Sequence, residues 1–388
     1  MVSRCDPPAS ETPESADQQP LRSSHTSSFP RLLQRLGISL VLTTYQAGYM
    51  VVLRSEGDVL NTHFRSFRRP MGVAVRGGRL AVGTELRVEE FHNMPAVTRR
   101  LEPAGKHDAC FVPRTAHYTG DVEIHEMAWA GEELCFVNTQ FSCLCTRHNM
   151  YSFVPRWRPG FVSALGPGDR CHLNGVAVSD GQVRYVTALG VTDTPGGWRE
   201  NKRDGGILLD VERDTVVADG LSMPHSPRCY DGKLWLLESG EGSLGTVDPD
   251  RGTYEARAQL PGYTRGLAFY GPFAFVGLSK VRDSAIFTGI PLVERLEERA
   301  CGVWVVDVRN GETVAWVKFE GDVQEIFGLA VLPDMRFPEI ITDDHDILSQ
   351  SYMIPDDALC EVPEGMRGGA GGLPAGGADA DTLPGRDR

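Results

Sequence analysis

Three histidines, His125, His172 and His225, stand about fifty residues apart, each at the start of an apolar run. In comparable positions fall two carboxylates, Glu123 and Glu325, the amide of Asn174, and the guanidinium groups of Arg69 and Arg265. Neutral imidazoles coordinate borderline transition metals or move protons near neutral pH. Carboxylates beside them can accept a proton, and arginines can clamp a carboxylate or phosphate through two parallel hydrogen bonds. One expectation is a divalent transition metal held by His125, His172 and His225, with Glu123 or Glu325 as proton acceptor and Arg265 orienting an anionic substrate. Two others stand beside it: a metal-free pocket for a small polar or anionic molecule, and histidines that only satisfy backbone ends around a water-filled channel.

These residues lie on a phrase that returns six times. It reads Pro70-Met71-Gly72-Val73-Ala74-Val75, His125-Glu126-Met127-Ala128-Trp129, Asn174-Gly175-Val176-Ala177-Val178, His225-Ser226-Pro227-Arg228-Cys229, Arg265-Gly266-Leu267-Ala268-Phe269 and Phe327-Gly328-Leu329-Ala330-Val331. Alignment puts Met71, His125, Asn174, His225, Arg265 and Phe327 in one register, at intervals of 40 to 62 residues. Two positions earlier stand Arg69, Glu123, His172, Met223, Tyr263 and Glu325, which an extended strand would place on the same face. A short β-rich unit at this period predicts a propeller whose innermost strands converge on one axis.

The fold class expected is all-β, a six-bladed β-propeller. Asp-containing turns such as Val247-Asp248-Pro-Asp-Arg-Gly252 and Val306-Asp307-Val-Arg-Asn-Gly311 mark hairpin links within blades. The last copy, from Phe327, has one obvious strand. Apolar runs at 39–44, 49–54 and 59–64 supply what it lacks, so N-terminal strands close the last blade, and 29–37 predicts a short helix ending at Gly37. Residues 1–28 and 341–388 are polar or Gly-rich and are expected to be largely disordered, leaving 29–340 as the propeller.

A formal charge of −13 over 388 residues argues against a sequence-independent nucleic-acid binder. No apolar run reaches the length of a membrane span, and the first residues lack a charged-then-apolar leader pattern, so the expectation is a cytoplasmic protein with no membrane partner. Nine cysteines at irregular spacing do not read as a disulfide framework, and Cys143 and Cys145 read as small core residues. Phosphate-loop, serine-hydrolase-elbow and paired Cys-x-x-Cys motifs are missing from the sequence.

The loops between second and third strands should ring the same mouth as the histidines. The segment 192–202 combines a Pro-Gly-Gly hinge with Trp198, Arg199 and Asn201, and 279–283 carries Lys280. With Asn174 and Arg69 these are the candidate ligand contacts. The competing reading is a non-catalytic interaction propeller in which a protein partner docks on exposed aromatic residues such as Trp157 and Trp198.

Several phrases, including Thr44-Tyr-Gln-Ala-Gly48, Arg69-Pro-Met-Gly72, Asp169-Arg-Cys-His-Leu-Asn-Gly175, Asp193-Thr-Pro-Gly-Gly-Trp-Arg-Glu-Asn-Lys202 and Ser222-Met-Pro-His-Ser-Pro-Arg228, resemble an uncharacterised bacterial family of conserved hypothetical propeller proteins. The resemblance spans roughly residues 35 to 340 and carries no catalytic assignment with it. More remotely, the architecture is similar to gluconolactonase and paraoxonase-type six-bladed propellers, which hold an axial divalent cation through Glu, Asn and Asp. Histidines here replace those oxygen ligands, which favours a borderline transition metal over Ca²⁺.

Overall fold

The computed structural model describes residues 21–281, 288–343 and 345–367. Six sheets, antiparallel but for one edge pair, form the six blades. Their innermost strands are Val73–Arg76, Ile124–Ala130, Leu173–Ser179, Pro224–Tyr230, Tyr263–Tyr270 and Leu329–Leu332, so each copy of the repeated phrase opens the inner edge of a sheet. The third blade shows the pattern: Leu173–Ser179, Gln182–Ala188, Gly206–Asp210 and Thr215–Leu221 pair in order from the axis outwards.

The links follow from their residues. Asp248 and Asp307 accept main-chain N–H bonds within their own turns, and Gly252 and Gly311, at φ 69° and 76°, each return a 2.8 Å bond to the carbonyl of that aspartate. Between blades the faces are packed with Val, Leu and Phe. Phe275, Val303, Phe319 and Leu53 share one such cluster, and Phe136, Ala81 and Ile124 share another. Each fully buried side chain of this kind contributes roughly 1.5–3 kcal/mol.

The small residue after the register position has a steric cause. A Cβ on Gly72 would lie 3.0 Å from the Glu126 backbone, and one on Gly328 would lie 2.8 Å from the Met71 carbonyl oxygen. Neighbouring inner strands therefore touch backbone to backbone near the axis. The second and fourth blades carry Glu126 and Ser226 at this position instead.

Closure takes three forms. The sixth sheet pairs Leu329–Leu332 with Ser39–Thr43, followed by Tyr49–Glu56 and Val59–Ser66, as the N-terminal apolar runs predicted. Helix Ser28–Leu36 ends at Gly37, φ 70°. Beyond this, Ser23–His25 adds a fifth strand to the outer edge of the fifth blade, and Pro338–Ile340 adds a parallel fifth strand to the first.

Composition therefore misplaced part of both ends. Residues 21–28 include that edge strand, and 341–367 include the short helical turns Asp346–Gln350 and Asp356–Leu359 with Ile341 and Ile347 buried. Backbone pairing holds such polar strands in place, which an apolar count does not register. The rest of the disorder expected for 1–28 and 341–388 falls on 1–20 and 368–388, outside the described residues.

Candidate functional site

His125 and His225 are held by the same construction. His125 Nδ1 lies 3.1 Å from the Glu123 carbonyl oxygen and 2.9 Å from Thr139 Oγ1, whose own proton goes to the Leu173 carbonyl. His225 Nδ1 lies 2.9 Å from the Met223 carbonyl oxygen and 3.0 Å from Ser239 Oγ, which donates to Thr264. A carbonyl can only accept, so Nδ1 carries the proton in both rings and Nε2 presents a bare lone pair. Burial, reinforced by the Arg265 charge, pushes both imidazoles well below their usual pKa, so they are neutral at pH 7.

Four of the six residues two positions before the register are not extended, whereas Tyr263 begins a strand. Arg69, Glu123, His172 and Met223 have φ between 48° and 52°, the left-handed region. That turn points the carbonyls of Glu123 and Met223 at the imidazoles two residues on, and it corrects the expectation of a shared strand face. His172 nonetheless reaches the axis, with its ring 4.6 Å from that of His125. Its Nδ1 donates to Asp169 at 2.9 Å. Asp169 also accepts from Trp198 Nε1 at 2.8 Å and lies 3.4 Å from Arg199 Nη2.

Arg265 lies across the Phe327 ring, its guanidinium carbon 3.3 Å from the centroid, and Nη1 is 3.3 Å from Glu325. Burial lowers its pKa. Arg265 Nη2 and Asn174 Nδ2 are buried donors without a hydrogen-bond partner among the described residues, while Asn174 Oδ1 accepts from Thr187 at 2.6 Å. With His125, His225 and Phe327 they line a small axial cavity of about 10 Å³, room for one water-sized group. Beneath lies an ion pair between Glu126 and Arg228. Arg228 also donates to the Val176 and Leu267 carbonyls, at 3.2 Å and 3.0 Å, so this plug ties four blades together. Above, Arg265, His172 and Glu325 keep 12 %, 14 % and 21 % side-chain exposure, which opens the site to solvent.

Of the residues singled out from sequence, the fold thus gathers His125, His172, His225, Asn174 and Arg265, with Glu325 behind Arg265. Arg69 is engaged at the rim with Glu85, Asp121 and Tyr45. Glu123 contributes its carbonyl. Asn201 caps a turn through a bond from Asp204, and the Lys280 main chain bonds Gln324 at 2.8 Å, so neither is brought to the cavity by any described contact. Arg282 and Asp283, in the same loop, lie outside the described residues.

Among the described residues no group of three or more His, Cys, Asp or Glu side chains is arranged to hold a metal ion, and His125, His172 and His225 are neighbours with the Arg265 charge in their midst. One expectation is corrected. Trp198 is 3 % exposed, packed with Leu189, Met223 and Tyr263 and with its ring 4.3 Å from that of His172, and Trp157 is half-buried. Neither is a free docking anchor. Cys143 and Cys145 are buried core thiols as read. The residues missed were Asp169, Thr139, Ser239 and the plug Glu126–Arg228. A hydroxyl fourteen residues after His125 and after His225 was the available signal.

A family model described as a domain of unknown function (DUF4915) matches residues 27–341. The chain belongs to this family. The DUF4915 match spans all six sheets apart from the first edge strand. No curated protein matches the chain. Among solved structures, a chain from the crystal structure of a nidogen/laminin complex is similar at TM-score 0.50 and 10 % identity, over 76 % of this chain and 99 % of that one. A protein of unknown function from Bacteroides caccae aligns at TM-score 0.48 and 7 % identity, over 76 % and 98 %. The first likeness supports the propeller fold alone. Among the described residues no helix is long and apolar enough to cross a membrane.

Proposed function

We propose that this DUF4915 propeller binds the carboxylate of a small organic molecule at its axial mouth. A propeller supports binding of ligands or proteins in general; the finer reading rests on the two unpaired donors, Arg265 Nη2 and Asn174 Nδ2, lining one cavity with neutral imidazoles. A buried donor without a partner costs roughly 1–3 kcal/mol, a cost that one bound oxygen offsets. The bare Nε2 atoms of His125 and His225 accept hydrogen bonds from a hydroxyl or from the water that accompanies the carboxylate. The cavity takes one oxygen, so the body of the ligand stays in the mouth beside His172 and Glu325.

A panel of small carboxylates is tested by calorimetry and thermal melting. Binding should raise Tm of the wild type and be lost in Arg265→Met, with Asn174→Leu weakened. A panel that leaves Tm unmoved, or binding retained in Arg265→Met, overturns the proposal. Adding Zn²⁺, Mn²⁺ or EDTA should leave the carboxylate response unchanged.

A further inference from the structure

A second concavity lies on the same face. An open cleft of about 390 Å³ is lined by Gln46, Ala47, Tyr49, Asp322 and Gln324. Both of its walls run directly into the axial site. Gln46 follows Tyr45, whose ring stacks on Phe327 at 5.3 Å, and Gln324 precedes Glu325, the partner of Arg265. Gln46 and Ala47 belong to the turn between Ser39–Thr43 and Tyr49–Glu56, and Asp322 and Gln324 to the connection entering the sixth blade, so both segments emerge at the mouth. Phe327 lies three positions after Gln324, so their Cα atoms are at most about 11 Å apart.

The chemistry of the two places is complementary. The axial end offers unpaired donors and the Arg265 guanidinium. The cleft offers one charged side chain, the carboxylate of Asp322, with two amide oxygens and a tyrosine beside it. A chain of net charge −13 repels a simple anion at long range, and a positive group on the same ligand cancels that repulsion.

We infer that the cleft at Asp322 and the axial site at Arg265 form one bipartite site for a zwitterion, an amino-carboxylate with its two charged groups at opposite ends of a short chain. This rests on the carboxylate reading of the axial site. The carboxylate meets Arg265 Nη2 and Asn174 Nδ2, and the ammonium meets Asp322 with Gln46 and Gln324 completing its hydrogen bonds.

The test uses matched pairs that differ only in the amine: butyrate with 4-aminobutyrate, hexanoate with 6-aminohexanoate, and octanoate with 8-aminooctanoate. Titrated calorimetrically into the full chain, one amino member should bind about ten-fold tighter than its partner, the size of one charge-assisted contact. Asp322→Asn should remove that advantage and leave the unsubstituted acid unchanged, while Arg265→Met should abolish both. Equal affinity within every pair, or an amine advantage that survives Asp322→Asn, overturns the bipartite site and leaves the axial carboxylate site standing. Failure of all six compounds to bind overturns both. Circular dichroism of each variant confirms that folding is retained.

Discussion

An imidazole enclosed beside Arg265 resists taking a second proton. His125 and His225 have folded pKa values depressed below the unfolded value of about 6.5, so only the unfolded chain gains protons as pH drops through 6.5. Their contribution is therefore fully present above that value and is lost below it, at about 1.4 kcal/mol per pH unit for each ring. Glu126, whose pKa is raised by burial, acts in the opposite sense. The slope is accordingly read as a difference: urea unfolding from pH 5 to 7 should show a shallower dependence for His225→Asn than for wild type, and parallel curves would contradict the neutral assignment. Trp198→Phe removes one donor from the buried Asp169 carboxylate and should cost roughly 1–3 kcal/mol by the same measurement. At this scale the sequence was half legible. Histidine, asparagine and arginine in one register announced a common axis, but the left-handed turns at Glu123 and Met223 depend on backbone angles that residue type does not specify. Trp198 looked like a surface anchor because a Pro-Gly-Gly loop is polar on average, whereas folding turns that ring inwards onto His172.

Between blades, hydroxyls act as staples. Ser239 and Thr139 each receive a histidine N–H and pass their own proton to the inner strand of the next blade, while Ser279 bonds Ile326 at 3.1 Å and Thr43 bonds Met71 at 2.5 Å without a histidine. Ser239→Ala leaves the Thr264 carbonyl without that donor and frees the His225 ring to rotate. It should lower stability by roughly 1–3 kcal/mol and weaken carboxylate binding, whereas Ser279→Ala should affect stability alone. Equal binding losses in the two variants would count against a positioning role for Ser239. Strand boundaries were readable because apolar runs and Asp-Gly turns are local signals. The staples were not, since each joins residues 25 to 47 positions apart across a blade boundary.

For the molecule as a whole, the added strand Pro338–Ile340 is fastened by Glu339. Its carboxylate lies 2.7 Å from His63 Nε2 and 2.8 Å from Arg65 Nη2, and these partners hold its pKa at about 2. A carboxylate with a depressed pKa stabilises above its unfolded value of about 4.5 and loses that contribution as pH falls towards 2, at most about 3 kcal/mol here. Chemical denaturation should therefore show wild type losing stability more steeply than Glu339→Gln between pH 5 and 2. The six-fold count and the N-terminal completion of the sixth blade were legible because a missing set of strands leaves an apolar remainder elsewhere. The two extra edge strands were not, being only three residues each.

Ser23–His25 can dock only after Glu312–Phe319 has formed, nearly three hundred residues later. During synthesis, then, this edge strand waits for a partner made much later, and the helix beside it has no finished surface to cover until the ribosome has passed the fifth blade. Assembly is governed by long-range encounters, which are slow, and a nascent protein of this design is at its most vulnerable just before that edge strand finds its partner.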